Sequence, residues 1–181
     1  MRRLLLVALL LAGAAAAQAP SPKAALDSML SALRAAPSED AAAALEAQIR
    51  TLWTEAATPA VRLLLSRGTR ELSENAASDA LDSFDAALDL EPDLLDAWRG
   101  RAQARLRLGD HAGAIRDVQE VLKREPRNFA ALQDLSRIAE SRADWRGALA
   151  AWQKLLDIDP RTPGGQARLR DLRRRALGED T

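Results

Sequence analysis

Apolar side chains recur along this chain at intervals of three and four, the spacing that lines them up on one stripe of an α-helix. They do so in blocks that end at proline. Ala80-Leu81, Phe84 and Ala87-Leu88 lead to Glu91-Pro92; Ala114-Ile115, Val118 and Val121-Leu122 lead to Glu125-Pro126; Ala148-Leu149, Trp152 and Leu155-Leu156 lead to Asp159-Pro160. Pro92, Pro126 and Pro160 are therefore 34 residues apart, and each closes its helix because it cannot supply the next amide hydrogen bond. Upstream of each block the pattern predicts a second helix. It carries Leu64, Trp98 or Leu132 near its start and a small residue, Gly68, Ala102 or Ser136, four positions later, where two helix backbones can approach. Leu108-Gly109-Asp110 and Arg142-Ala143-Asp144 separate the two helices with residues suited to a helix stop followed by a helix start. Each unit is an antiparallel helical hairpin, repeated in strict register.

A 34-residue period carrying Trp98, Ala102, Leu108-Gly109-Asp110, Ala114-Ile115 and Pro126 resembles the tetratricopeptide repeat (TPR). The resemblance implies an all-α solenoid of about three hairpins, spanning 59–92, 93–126 and 127–160. The middle unit matches best. The first has Glu71 where the family often has an aromatic, and an irregular turn at Ser73-Glu74-Asn75; the last has Ala139 at the place of Glu71.

Stacked hairpins leave an unfinished apolar face at each end, so caps are expected on both sides. Residues 18–58 read as an N-terminal helical hairpin cap, Lys23–Ala36 and Ser38–Ala57, divided at Pro37, with Leu45, Ile49, Leu52 and Trp53 as the buried face of the second helix and Thr58-Pro59 as the junction. Residues 161–181 read as a C-terminal capping helix, Gln166–Leu177, with Leu169, Leu172 and Ala176 on one side, followed by an acidic tail.

The first residues break the pattern. Arg2-Arg3 precede an unbroken apolar run from Leu4 to Leu11 and then small residues to Ala17, the layout of a secretory signal peptide. Cleavage after Ala17 places Ala15 and Ala17 at the recognition positions and leaves Gln18 as the mature N-terminus. The 14 apolar residues from Leu4 to Ala17 fall short of the roughly 20 that span a bilayer. The short alanine-rich leader points to a bacterial periplasm. The chain has no cysteine, so neither lipid attachment nor disulfides contribute there. Without residues 1–17, 24 basic side chains face 26 acidic ones, and nothing in that balance invites nucleic acid.

Candidate chemistry is sparse. His111 is the single histidine and falls at the start of a repeat helix, where the third unit has Trp145; one histidine without cysteine builds no metal cluster, and no cofactor is expected. Glu39-Asp40, Asp157 with Asp159, and Glu179-Asp180 lie at helix ends or in the tail. No nucleophile motif or phosphate loop is present. The chain is read as a non-catalytic adaptor or scaffold of the bacterial cell envelope. Arg168, Arg170, Arg173, Arg174 and Arg175 form the densest charge run and supply an alternative: association with an anionic membrane surface through the last helix.

The resemblance further implies a concave groove lined by the first helix of each hairpin, able to hold a peptide or helical segment. By position its residues are Arg62, Leu65, Thr69 and Leu72, then Asp96, Arg99, Gln103 and Leu106, then Ala130, Gln133, Arg137 and Glu140. Arg62, Arg99 and Arg137 could grip an acidic partner, with Arg99 and Arg137 as the leading candidates, while Asp96 and Glu140 argue for internal compensation. The positions at which some family members clamp a chaperone's C-terminal carboxylate hold Leu65, Thr69, Gly100, Ala130 and Asp134, so that activity does not carry over.

Overall fold

The computed structural model describes residues 21–55 and 57–178; the expected leader, 1–17, lies outside them. The described residues form nine helices: α1 (Pro22–Arg34), α2 (Glu39–Glu55), α3 (Pro59–Ser73), α4 (Ala77–Leu90), α5 (Leu95–Arg107), α6 (His111–Arg124), α7 (Phe129–Ser141), α8 (Trp145–Ile158) and α9 (Gly165–Leu177). The hairpins α3–α4, α5–α6 and α7–α8 stack in order, and α9 packs on α8.

Each second helix of a hairpin stops one residue earlier than proline's missing donor requires. Glu91, Glu125 and Asp159 take extended backbone, with φ of −136°, −135° and −128°, because a residue before proline is pushed out of the helical region. The inter-helix turns share one geometry as well. Asn75, Gly109 and Ala143 stand at equivalent positions and all are left-handed, at φ 60°, 81° and 55°. The turn that looks irregular in sequence is thus built like the others, with asparagine tolerating the conformation that glycine adopts freely. Asp110 and Asp144 then cap the following helices, accepting hydrogen bonds from the amides of Gly113 (2.8 Å) and Gly147 (2.9 Å).

Small residues in the first helices admit a specific side chain. Phe84, from α4, is wedged between α3 and α5: a Cβ on Gly68 would lie 2.8 Å from its ring, and one on Gly100 would lie 2.3 Å from it. Polar groups settle the rest of the hairpin interface by repeat position. Ser83 donates to the buried Glu71 carboxylate at 2.6 Å in the first unit, Arg105 reaches Asp117 at 2.7 Å in the second, and the equivalent positions of the third are the buried Ala139 and Ala151. That hydrogen bond from Ser83, with Arg67 beside it, holds the Glu71 carboxyl below its ordinary range. Trp98 donates to the Pro92 carbonyl at 2.6 Å and lies under Arg101, whose guanidinium is 4.5 Å from the ring and bonds both Asp85 and Asp117. Trp145 and Trp152 are covered by α9: Arg175 stacks on the former at 4.8 Å, and the latter donates to the Gly165 carbonyl at 3.0 Å.

The α1–α2 hairpin does not sit on the open end of the array, where a cap belongs. It folds back across the concave side, with α1 against α8 and α2 against α5. Ile49 and Trp53 join one core with Phe129, Ala130, Leu132 and Trp152. The outer face of α3 stays open: Leu63 is 71% exposed, whereas its equivalents Ala97 and Ala131 are fully buried. The residues at that face give the reason. Arg67 and Arg70 in α3 both stay exposed; the equivalents of Arg70 are the buried Ala104 and Ile138, so the face offers α2 little apolar area.

Candidate functional site

A cavity of about 760 Å³ opens on the concave side between α3 and α5, with α2 as its wall. Its apolar floor is Leu65, Leu72 and the edge of Phe84 beside Gly100, and its polar walls include Thr54, Ser66, Thr69, Ser73 and Gln103. Four arginines border it, Arg50, Arg62, Arg70 and Arg99, against the single carboxylate of Asp96. Helix periodicity explains the set: residues 62, 65, 66, 69 and 73 of α3 share one face, and 96, 99, 100 and 103 share the matching face of α5.

Of the groove residues expected from the sequence, Arg62, Leu65, Thr69, Leu72, Asp96, Arg99 and Gln103 line this cavity together; Gln133, Arg137 and Glu140 do not. Ala130 is fully buried beneath α2, and Leu106 packs into the hairpin core.

The arginines differ in availability. Arg99 donates to Asp96 at 3.2 Å and to Asp134 at 3.1 Å, and its side chain is 15% exposed. Arg137 also contacts Asp134, and Gln103 donates to the same carboxylate at 3.1 Å. Asp134, itself buried, thereby consumes the two arginines that positional reasoning favours. Internal compensation holds for Asp96 and Glu140 alike, since Glu140 pairs with Arg168. Arg50 pairs with Glu46 at 2.6 Å, and Arg70 lies 4.0 Å from Glu74 with both exposed. Arg62 is exposed and donates to the Ala57 carbonyl at 2.7 Å; among the described residues it makes no direct ion pair, although the Glu91 carboxylate, held by the Thr58 amide at 2.9 Å, lies near enough to feel its charge.

Sequence reasoning missed Arg50 and Thr54, because nothing in a local pattern says that α2 crosses the groove. It also missed Phe84 as floor, although two glycines flanking one aromatic position in neighbouring units were a readable signal. The cation run of α9 is largely engaged: Arg174 and Arg175 bond Asp171 at 3.2 and 3.0 Å, and Arg168 lies over Trp152 at 5.1 Å. No helix among the described residues is long and apolar enough to cross a membrane.

No family model matches the chain. It is 30% identical over 161 residues to a TPR repeat-containing protein of Rhizobium etli, covering 89% of this chain and 79% of that one. Among solved structures, the Sgt2 TPR domain from Aspergillus fumigatus superposes with a TM-score of 0.60 at 25% identity, over 65% of this chain and 79% of the domain. The first TPR domain of Spaghetti, solved with a bound HSP90 peptide, superposes with a TM-score of 0.60 at 18% identity, over 66% and 94% of the two chains.

Proposed function

The chain belongs to the tetratricopeptide-repeat family, a non-catalytic family of protein-interaction modules, and from that premise we propose that it is an exported adaptor of the bacterial cell envelope that holds a short acidic segment of another protein. The observation that carries the binding half is the cavity between α3 and α5, with an apolar floor at Leu65 and Phe84 and a rim of arginines in which Arg62 makes no direct ion pair among the described residues. A carboxylate on the partner would meet Arg62 in bidentate geometry while an apolar side chain covers the floor. A peptide held by the Spaghetti domain shows that such a fold can take one. The export half rests on the leader pattern of residues 1–17.

Two experiments test the two halves. Capture of partners from an envelope extract should lose its specific partner with Arg62→Glu, while Arg137→Glu, outside the cavity, keeps it; a partner set unchanged by Arg62→Glu removes the cavity from the reading. N-terminal sequencing of the protein from the periplasmic fraction should begin at Gln18, and a chain found intact in the cytoplasmic fraction would remove export.

A further inference from the structure

The concave position occupied by Arg62 in the first repeat is Asp96 in the second and Ala130 in the third, and its surroundings change in that order. Arg62 is exposed, Asp96 is half-buried and accepts a hydrogen bond from Thr54 at 2.5 Å, and Ala130 is fully buried under α2. α2 lies on these positions in the manner of a bound helix. Trp53 packs on Phe129 with ring centroids 5.3 Å apart, and Arg50 lies over the same ring at 5.2 Å. Thr162, beyond α8, donates to Glu46 at 3.0 Å.

This contact is imperfect in a specific way. Three buried polar side-chain atoms among the described residues lack a hydrogen-bond partner: Nε1 of Trp53, Nδ2 of Asn128 and Oδ2 of Asp159. Trp53 and Asp159 lie in the joint between the hairpin and the array, and Asn128 adjoins Phe129. The two unpaired nitrogens, Nε1 of Trp53 and Nδ2 of Asn128, oppose docking, and opening returns them to water, whereas Oδ2 of Asp159 is the oxygen for which a shared proton supplies a partner. At the same joint Thr162 ties α2 to the end of α8, its hydroxyl donating to Glu46 at 3.0 Å and its amide to the Asp159 carbonyl at 3.3 Å, which sets the Glu46 carboxyl beside that of the fully buried Asp159. A close carboxyl pair is stable when it shares a proton and repels when both groups ionise.

We propose that the α1–α2 hairpin is an intrachain occupant of the concave face, that the strip it covers at Asp96, Phe129 and Ala130 is the second half of the partner site, and that the Glu46–Asp159 carboxyl pair is the joint that holds it shut. This rests on the reading of the concave face as a partner site and adds its regulation. Burial first, and the neighbouring Glu46 second, raise the Asp159 carboxyl to about 7. The charged groups around the joint are few. Arg50 of α2 stands behind Glu46, the linker offers the Arg161 amide and the Thr162 hydroxyl, Arg168 of α9 is engaged with Glu140, and Asp27 and Arg34 of α1 border Arg127 and Asp157. The hairpin is accordingly held most tightly in acid and released progressively as pH rises towards 7.

Hydrogen exchange on the full mature chain tests this, read at α2 and at residues 129–133 after correction for intrinsic rates. The opening constant of α2 should rise about a hundred-fold between pH 5 and pH 8, because Asp159 is ionised far more readily in the open form. Asp159→Asn should flatten that dependence, and Trp53→Ala should leave α2 exchanging freely at both pH values while amides of α6 and α8 stay protected, which separates undocking from unfolding. Equal α2 protection at pH 5 and pH 8, or an unchanged slope in Asp159→Asn, would overturn the joint. Partner capture should increase with Trp53→Ala; no increase would overturn the covered strip as part of the site. Loss of capture in Arg62→Glu is read independently, so failure of the hairpin's role and failure of the binding site itself are distinguishable.

Discussion

Replacing Gly100 by alanine sets two effects of known size against each other. Alanine in a helix interior is favoured over glycine by about 1 kcal/mol, so propensity alone predicts stabilisation. Packing opposes it. The new Cβ would lie 2.3, 2.4 and 2.6 Å from three atoms of the Phe84 ring, where carbon atoms in contact sit roughly 3.5–4.0 Å apart, so the ring must retreat by more than ~1 Å. Little room is left for that retreat, because the same end of the ring already fills the place that a Cβ on Gly68 would take, 2.8 Å from it. Overpacking of a pinned aromatic belongs at the upper end of the usual range, about 3 kcal/mol, leaving a net loss of about 2 kcal/mol. Thermal unfolding followed by circular dichroism should place the variant about 4–8 °C below wild type, at ~2–4 °C per kcal/mol for a chain of this size. In a Phe84→Leu background the same substitution should cost little, giving a coupling energy of at least ~1 kcal/mol. A Gly100→Ala variant that melts at or above wild type, or that costs as much without the phenyl ring, would refute the wedge and with it the floor of the cavity.

Other outcomes follow from single positions. Ala114 is fully buried where α6 meets the array, so Ala114→Glu should cost at least ~3 kcal/mol in denaturant unfolding, through an unpaired charge and excess volume. Ala143 holds left-handed backbone at φ 55°, and Ala143→Gly should stabilise by roughly 0.5–1 kcal/mol, the relieved strain exceeding the added chain entropy. Because the Asp159 carboxyl is raised above its unfolded value, its contribution is complete in acid and is lost as pH rises to about 7. Asp159→Asn should therefore match wild type in thermal stability near pH 4 and exceed it at pH 8, and a wild type equally stable at both would contradict the buried carboxyl pair.

Much of the architecture was written in local periodicity. The three proline-terminated blocks, the left-handed turn at Gly109 and the caps at Asp110 and Asp144 depend on residues within a few positions of one another, and repetition at 34 residues multiplies each weak signal. The same register named seven residues that now line one cavity, Arg62 among them. It could not rank them. Arg99 and Arg137 read as ready cations, but Asp134, which carries no special mark in the sequence, pairs with both.

The course of the α1–α2 hairpin was likewise invisible. A sequence states that Ile49 and Trp53 need burial, but several apolar surfaces compete for them, and free energy is settled by which surface buries more area at less polar cost. Arg67 and Arg70 made the outer face of α3 the poorer choice, while Phe129 and Ala130 made the concave face the better one. Repeat identity, helix limits and the ladder of groove positions therefore belong to the chain order. Which groove positions remain open, and which charge is left to meet a partner, belong to the packing of segments far apart in that order.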